Sequence, residues 1–230
     1  MGRVQNYINS HTTTQKPYDG GGLCCDSNRL LNSASELPLR LLFNDIVNVP
    51  VPDASDVNDW NTFLTGNFTS VTISGNEVLL YGGSNIELSP SLFDSNEFLI
   101  SIIDDAMCVI EIKNDVFTGT LILITVKLNA VTAVGDSTFL NSSSLTTVEL
   151  KAATQTSSTI FRDCLNLTSV DLRSCTDLGG TVLDNSVFLN ISGNAFTLTI
   201  PSALMTCNSG NPDGDIDYLQ TNNTVTIITV

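Results

Sequence analysis

The sequence contains few charged residues, and few of these are basic. Charged residues make up 14% of the 230-residue chain, against the usual quarter. Nine Lys and Arg stand against 24 Asp and Glu, which gives a net charge of −15 at pH 7. So few bases cannot neutralise a phosphate backbone, and the negative charge disfavours anionic membranes. We therefore expect no nucleic-acid partner and no membrane contact.

Long apolar runs and histidines are also scarce. The N-terminus carries no apolar segment of the kind that directs secretion, and runs such as 121–124 are too short to span a bilayer. Without a secretion signal, the six cysteines are expected to be reduced. His11 is the only histidine and no Cys-x-x-Cys pair occurs, which argues against a zinc site and a Ser-His-Asp triad. The sequence predicts no catalytic residue, no cofactor-binding residue and no metal ligand.

Four phenylalanines recur at a nearly constant spacing, and each is followed by apolar residues at +6, +9 and +11. They are 24, 22 and 22 residues apart, a period in the low twenties that marks a solenoid with one short strand per turn. The only +11 position that departs is Asp104. The sets are Phe93, Leu99 and Ile102; Phe117, Leu123, Val126 and Leu128; Phe139, Leu145, Val148 and Leu150; Phe161, Leu167, Val170 and Leu172.

The repeats are expected to span 86–200, and a C-terminal cap strand is expected in 201–230. A degraded fifth turn begins at Phe188, and its strand 196–200 ends at Pro201. Residues 224–230, TVTIITV, alternate like a strand and form the best edge for self-association. The fold class is therefore mainly β, a short solenoid of about four to five turns, and a homo-oligomer is expected.

The part before the repeats divides in two. Residues 1–52 are predicted to form an extended N-terminal attachment arm and linker, because 1–35 have no periodicity and 36–52 end in two prolines. The first stretch is either a disordered tail or an arm that orders on a partner. Residues 53–85 are predicted to form a cap: a helix near 56–64 with Trp60 in the core, then a β-hairpin around the glycine turn at 74–76.

The repeat unit resembles BspA-type leucine-rich repeats. The copies FLNSSSLTTVEL and FRDCLNLTSVDL, preceded by Val134-Gly135-Asp136, carry the resemblance over 86–200. It implies a leucine-rich-repeat solenoid and no particular activity. The segment 59–93 is similar to the module that precedes such repeats in proteins of tailed phages, including crAss-like phages. Members of the family occur as bacterial surface adhesins and as repeat modules of virion proteins.

The outward positions of the strands form three rows. Adjacent strands lie about 4.8 Å apart, so Lys127 and Glu149 are expected to pair across strands, and Glu149 and Asp171 are like-charged neighbours. Two neighbouring carboxylates are also what a glycan-cleaving enzyme needs, but a solvated mixed-charge face, in which the nearby bases neutralise the repulsion, is the preferred interpretation. The rows are Ser101, Thr125, Thr147 and Ser169 at +8; Ile103, Lys127, Glu149 and Asp171 at +10; Asp105, Asn129, Lys151 and Arg173 at +12.

One further motif is acidic. Asp213, Asp215 and Asp217 alternate in the segment 211–217, which is either an acidic surface turn or a calcium site; it lacks the glycine and glutamate of an EF-hand loop.

The sequence and its resemblances together predict a non-enzymatic structural protein of a virion. It would be a head- or tail-fibre or capsid-decorating subunit, bound to other virion proteins through 1–52 and displaying its repeats towards a protein or a host glycan. The alternatives are a bacterial cell-surface adhesin and a glycan-cleaving enzyme. The position in the particle, the stoichiometry and the receptor stay open.

Overall fold

The computed structural model describes residues 37–179, 186–191 and 195–230. These residues include twelve strands and two α-helices. The helices are α1 (Val57–Phe63) and α2 (Gly214–Asn222), and 3₁₀ turns span Ile46–Asn48 and Ser202–Met205. The strands are β1 (Leu39–Phe43), β2 (Ser70–Ser74), β3 (Glu77–Tyr81), β4 (Ile86–Leu88), β5 (Leu99–Asp104), β6 (Val109–Ile112), β7 (Thr125–Lys127), β8 (Ala133–Val134), β9 (Thr147–Glu149), β10 (Ser169–Asp171), β11 (Phe196–Ile200) and β12 (Val225–Thr229).

Two sheets enclose the core of the solenoid. The larger has nine strands in the order β12-β11-β10-β9-β7-β5-β1-β3-β2, parallel from β12 to β5 and antiparallel beyond. The smaller is parallel, in the order β4-β6-β8, and isolated bridges at Gln155 and Asp177 continue it. Each turn of the chain adds one strand to the larger sheet and returns through the smaller one. The predicted mainly β solenoid is confirmed.

The repeated phenylalanines stack in one buried column. Consecutive ring centroids lie 5.4–5.5 Å apart and the ring planes are nearly parallel, within 11°. Phe63 of α1 meets one end of the column edge-on, and Phe196 of β11 meets the other. Each repeat therefore adds one ring to the stack, and Phe63 and Phe196 cover its two ends. The members of the column are Phe93, Phe117, Phe139, Phe161 and Phe188.

Residues in the left-handed conformation stand at −2 of the first four phenylalanines and at +2 of all five, with φ between +53° and +66°. Five of the nine are glycine, asparagine or aspartate, which tolerate positive φ best, and the other four are serine or threonine. The turns then stack through their backbones, as where the Phe117 N–H donates to the Thr138 carbonyl at 2.9 Å. The positions are Ser91, Asp115, Ser137 and Thr159 at −2, and Ser95, Gly119, Asn141, Asp163 and Asn190 at +2.

A buried polar ladder runs beside the column at the +3 positions. The Ser142 hydroxyl donates to the carbonyl of Phe117 at 2.7 Å and lies 2.9 Å from the Thr120 hydroxyl. The Cys164 thiol donates to the carbonyl of Phe139 at 3.0 Å. Stacking of the turns buries these backbone carbonyls, and the small +3 side chains supply hydrogen bonds to them.

Residues 39–43 are a strand of the sheet, so the prediction of a linker over 36–52 was wrong for them. β1 pairs antiparallel with β3 on one side and with β5 on the other. Leu39, Leu41 and Phe43 are fully buried, and Val51 beyond them is 8% exposed. Alternate apolar side chains therefore bring this strand into the core, and Pro50 and Pro52 lie beyond it, after the 3₁₀ turn Ile46–Asn48. Residues 1–36 lie outside the described part of the chain.

The capping helix and the hairpin form as predicted. α1 begins after Asp56, whose side chain accepts from the Asn58 N–H, and buried Trp60 donates from its indole nitrogen to the Ala54 carbonyl. β2 and β3 pair antiparallel around Gly75, which has a φ of +61°. At the other end, β12 continues the sheet parallel to β11, as the alternation in 224–230 predicts. No helix was expected between these two strands, where α2 lies.

Candidate interaction surface

The outward hydroxyls of the parallel strands lie in register, as predicted. Ser101 is paired with Thr125, Thr125 with Thr147, and Thr147 with Ser169. All four are half-buried, because their side chains stand on the sheet face that points away from the core. The row is thus a regular line of hydroxyl groups, one strand apart.

The same register extends beyond the four predicted copies. Ser169 is followed by Thr197 on β11 and then by Thr226 on β12. On the other side, Arg40 of β1 lies opposite Ile103 and so enters the +10 row. Sequence reasoning missed Thr197 and Thr226 as row members because the last repeats are irregular in length. The outward position of Arg40 could have been predicted, because it stands between the apolar residues Leu39 and Leu41 and alternate residues of a strand face opposite sides.

The charged residues of this face form ion pairs. Lys127 Nζ lies 2.7 Å from Glu149 Oε1, which confirms the predicted cross-strand pair. Lys151 Nζ lies 2.5 Å from the other carboxylate oxygen of Glu149. Asp171 receives two bonds from the guanidinium of Arg173, at 3.1 and 2.5 Å. Glu149 is therefore paired with two lysines, and Asp171 with one arginine.

The two lysines favour the ionised form of Glu149. Partial burial raises the pKa of Glu149, but the hydrogen bonds from Lys127 and Lys151 outweigh it and hold the pKa below its ordinary value. Asp171 raises the pKa of Arg173 through its hydrogen bond and its charge. Glu149 and Asp171 are direct neighbours on β9 and β10. Their repulsion is offset by the bases on either side.

Asp104 is the residue that breaks the +11 pattern, and it has a structural task. Its carboxylate is 3% exposed and accepts from the Val109 N–H at 2.8 Å and from the Cys108 thiol at 3.3 Å. Burial raises the pKa of Asp104, although these hydrogen bonds lower it in part. The side chain fastens the turn between β5 and β6.

The acidic segment near the C-terminus is not a surface turn, so that interpretation was wrong for two of its three carboxylates. Asp213 is 1% exposed and caps α2, accepting from the Asp215 N–H at 3.0 Å. Asp215 is fully buried and accepts from the Val187 N–H at 2.8 Å; only Asp217 is exposed. In the described residues no group of three or more His, Cys, Asp or Glu is placed to hold a metal ion.

An open polar cleft of about 490 Å³ lies beside α2. Its walls carry one aromatic ring, Tyr218, the carboxylate of Asp217 and several amide and hydroxyl groups. No lysine or arginine lines it. The remaining lining residues are Asn208, Asn211, Pro212, Gly214, Thr221 and Asn222.

The described cysteines are free thiols. Cys164 and Cys175 are buried, and burial raises their pKa values to about 12 and about 11. Cys108 is buried as well, and Cys207 is exposed. Cys24, Cys25 and His11 lie outside the described residues. No helix in the described ranges is long and apolar enough to cross a membrane.

A known protein family matches the repeats. Residues 86–210 match the family model described as a BspA type leucine rich repeat region, in six copies. The match covers more than half of the chain, and it confirms the resemblance carried by FLNSSSLTTVEL and FRDCLNLTSVDL. No curated protein and no solved structure matches the chain.

Proposed function

The chain belongs to the BspA type leucine-rich repeat family, and we propose from this premise that it acts by contact and not by catalysis. The observation that carries the proposal is the outward face of β5, β7, β9 and β10, where hydroxyl groups and paired charges alternate in register. Such a face offers regularly spaced hydrogen-bonding groups to a protein or to a surface glycan. Tight packing of the turns behind it supports a rigid display.

The finer proposal is a structural protein of a virion, a head- or tail-fibre or capsid-decorating subunit. It is supported by the similarity of 59–93 to modules of tailed-phage proteins and by the low charge of the chain. The attachment role proposed for 1–52 is narrowed to 1–36, because β1 lies inside the sheet. In this proposal the repeat domain points outward from the particle.

A glycan-cleaving enzyme has less support. Glu149 and Asp171 are the candidate pair for this chemistry, and one of them would have to act as a general acid. A general acid needs a raised pKa, whereas two lysines lower that of Glu149. Asp171 is engaged by Arg173 through two bonds. Absence of any cleavage of host polysaccharide by the unmodified protein would agree with contact alone.

The test is mass spectrometry of gradient-purified phage particles, with the copy number per particle. Many copies per particle are expected, and deletion of 1–36 is expected to leave a folded domain that no longer enters particles. Presence in the cell envelope fraction and absence from particles would favour the adhesin instead. Normal incorporation of the shortened chain would disprove the attachment role of 1–36.

A further inference from the structure

The hydrogen bonds between β11 and β12 fix which backbone groups of β12 are already used. The Phe196 N–H donates to the Thr224 carbonyl at 3.0 Å. The Val230 N–H donates to the Ile200 carbonyl at 3.0 Å, and the Val230 carbonyl accepts from the Ser202 N–H at 3.2 Å. Because backbone groups alternate in direction along a strand, the even-numbered residues of β12 face β11.

The odd-numbered residues of β12 therefore direct their backbone groups the other way. Val225, Ile227 and Thr229 present their N–H and carbonyl groups to the free edge of the sheet. β12 is the last strand of the nine-stranded sheet, and no strand lies beyond it among residues 37–179, 186–191 and 195–230. This edge is a template for one more strand.

Nothing in β12 protects that edge. Natural edge strands usually carry a lysine, a proline or a bulge that blocks pairing, whereas 223–230 contains no charged residue and no proline. Ile228 and Val230 are 46% and 59% exposed, and Val225 and Ile227 are only partly buried against the core. A further strand would cover apolar surface on both faces.

We propose that β12 pairs antiparallel with β12 of a second copy of this chain, about a two-fold axis that passes midway between Ile227 of one copy and Ile227 of the other. In this register the outward groups of Ile227 meet those of Ile227 of the second copy. Val225 meets Thr229 of the second copy, and Thr229 meets Val225. All the free groups of the edge are then paired, and the two sheets become one. The inner faces adjoin, so that half-buried Val225 and Ile227 of both copies cover each other.

The register itself supports a second copy as the occupant, because the outward groups of β12 are complementary to those of an identical strand turned through the two-fold axis. Two chains of net charge −15 repel each other over most of their surfaces, and an uncharged strand is where they can approach with little repulsion. The pairing is isologous, so it closes at two copies. It does not depend on the proposed virion function, since it concerns the isolated protein.

The other free edge of the sheet, β2, gives a rival arrangement. β2 is also uncharged, and Ile73 on it is 38% exposed. Pairing of β2 with β12 of another copy would be head-to-tail and would grow into polymers. The two arrangements therefore predict different masses.

The experiment is light scattering of the full chain over a range of concentrations, with three variants. The unmodified protein is expected at twice the chain mass of 24.6 kDa. Ile228→Lys places a charge on the edge, and Thr229→Pro removes an outward N–H; each is expected to raise the dimer dissociation constant at least about tenfold. The matched control Ile73→Lys on β2 is expected to leave the dimer unchanged.

Amide exchange of the unmodified chain provides a second measurement that needs no variant. The N–H groups of Val225, Ile227 and Thr229 are expected to exchange more slowly as the concentration rises, whereas those of Thr226 and Ile228 are slow throughout. A monomer at every concentration would overturn the proposal. If the outward amides of such a monomer were protected, another part of the same chain would cover the edge instead of a second copy. Polymers that Ile73→Lys abolishes would overturn the proposal and indicate head-to-tail pairing of β2 with β12. A dimer that both β12 variants leave intact would also overturn it and would indicate that another surface forms the dimer.

Discussion

The rings of Phe117 and Phe139 lie parallel, with an interplanar angle of 1° and their centroids 5.4 Å apart. That distance is within the range at which aromatic pairs attract each other beyond simple burial. The two residues occupy the same position in successive turns, and both are fully buried. The stack therefore couples each turn to the next along the axis of the solenoid.

Removal of one ring from the middle of the column should be costly. Phe139→Ala takes away the shared neighbour of Phe117 and Phe161 and leaves a cavity, so a loss of about 3–5 kcal/mol in unfolding free energy is expected. Denaturant unfolding measures it. Leu165→Ala is the control, because Leu165 is 48% exposed and should change stability by less than about 0.5 kcal/mol. Equal small losses would show that the column does not stabilise the fold.

The polar ladder should tolerate a hydroxyl at position 164 but not an apolar group. Cys164→Ser keeps a small donor for the Phe139 carbonyl, as Ser142 does for that of Phe117, and is expected to cost less than about 1 kcal/mol. Cys164→Val removes the donor and adds bulk in a filled core, at about 1–3 kcal/mol. Thermal and denaturant unfolding compare the two. A valine variant as stable as the serine variant would contradict the role of the ladder.

Gly135 is required by a close backbone approach. A Cβ on this residue would lie 2.5 Å from the carbonyl carbon of Lys113 and still closer to the backbone nitrogen of Asn114. Gly135→Ala should therefore lower stability by about 1–3 kcal/mol, because backbone atoms of the adjacent turn must shift. The control is Gly75→Asn in the hairpin turn, where a side chain meets open space and asparagine tolerates the positive φ. Comparable melting temperatures for the two variants would contradict this prediction.

The repeats could be predicted from the sequence because each position recurs in the same environment. Once Phe117 and Phe139 are aligned, Val126 must lie beside Val148 and Lys127 beside Glu149. β1 could not be predicted in the same way. Its partners are 77–80 and 99–104, far away along the chain, and no period relates them. Pro50 and Pro52 favour an extended linker only for the residues next to them, and β1 ends at Phe43, well before them.

The acidic segment shows a second limit. Aspartate is rarely buried, so the sequence of 211–217 predicts an acidic surface turn or a calcium site. Asp215 instead satisfies a backbone N–H of the irregular last repeat, that of Val187. Sequence periodicity carries no information about this contact, because it joins a residue of the last repeat to a helix that lies outside the repeats.

Stability in acid should depend on Glu149, and the sign follows from its pKa. Because Lys127 and Lys151 hold the folded-state pKa below its ordinary value of 4.5, the ionised form stabilises the fold above that pH. The contribution is lost as the pH falls through the folded-state value. Asp104 acts in the opposite sense, since burial raises its pKa, so total stability mixes the two groups.

A comparison of variants isolates Glu149. Glu149→Gln is expected to be less stable than the unmodified chain above pH 4.5, by up to about 1 kcal/mol because the pair is partly exposed. The difference should shrink towards zero as the pH falls further, since both proteins then carry an uncharged group there. Denaturant unfolding between pH 7 and pH 3 measures it, with exposed Glu97→Gln as the control. A difference that persists unchanged at the lowest pH would mean that Glu149 acts through packing, and the ion pairs with Lys127 and Lys151 would then contribute nothing to the fold.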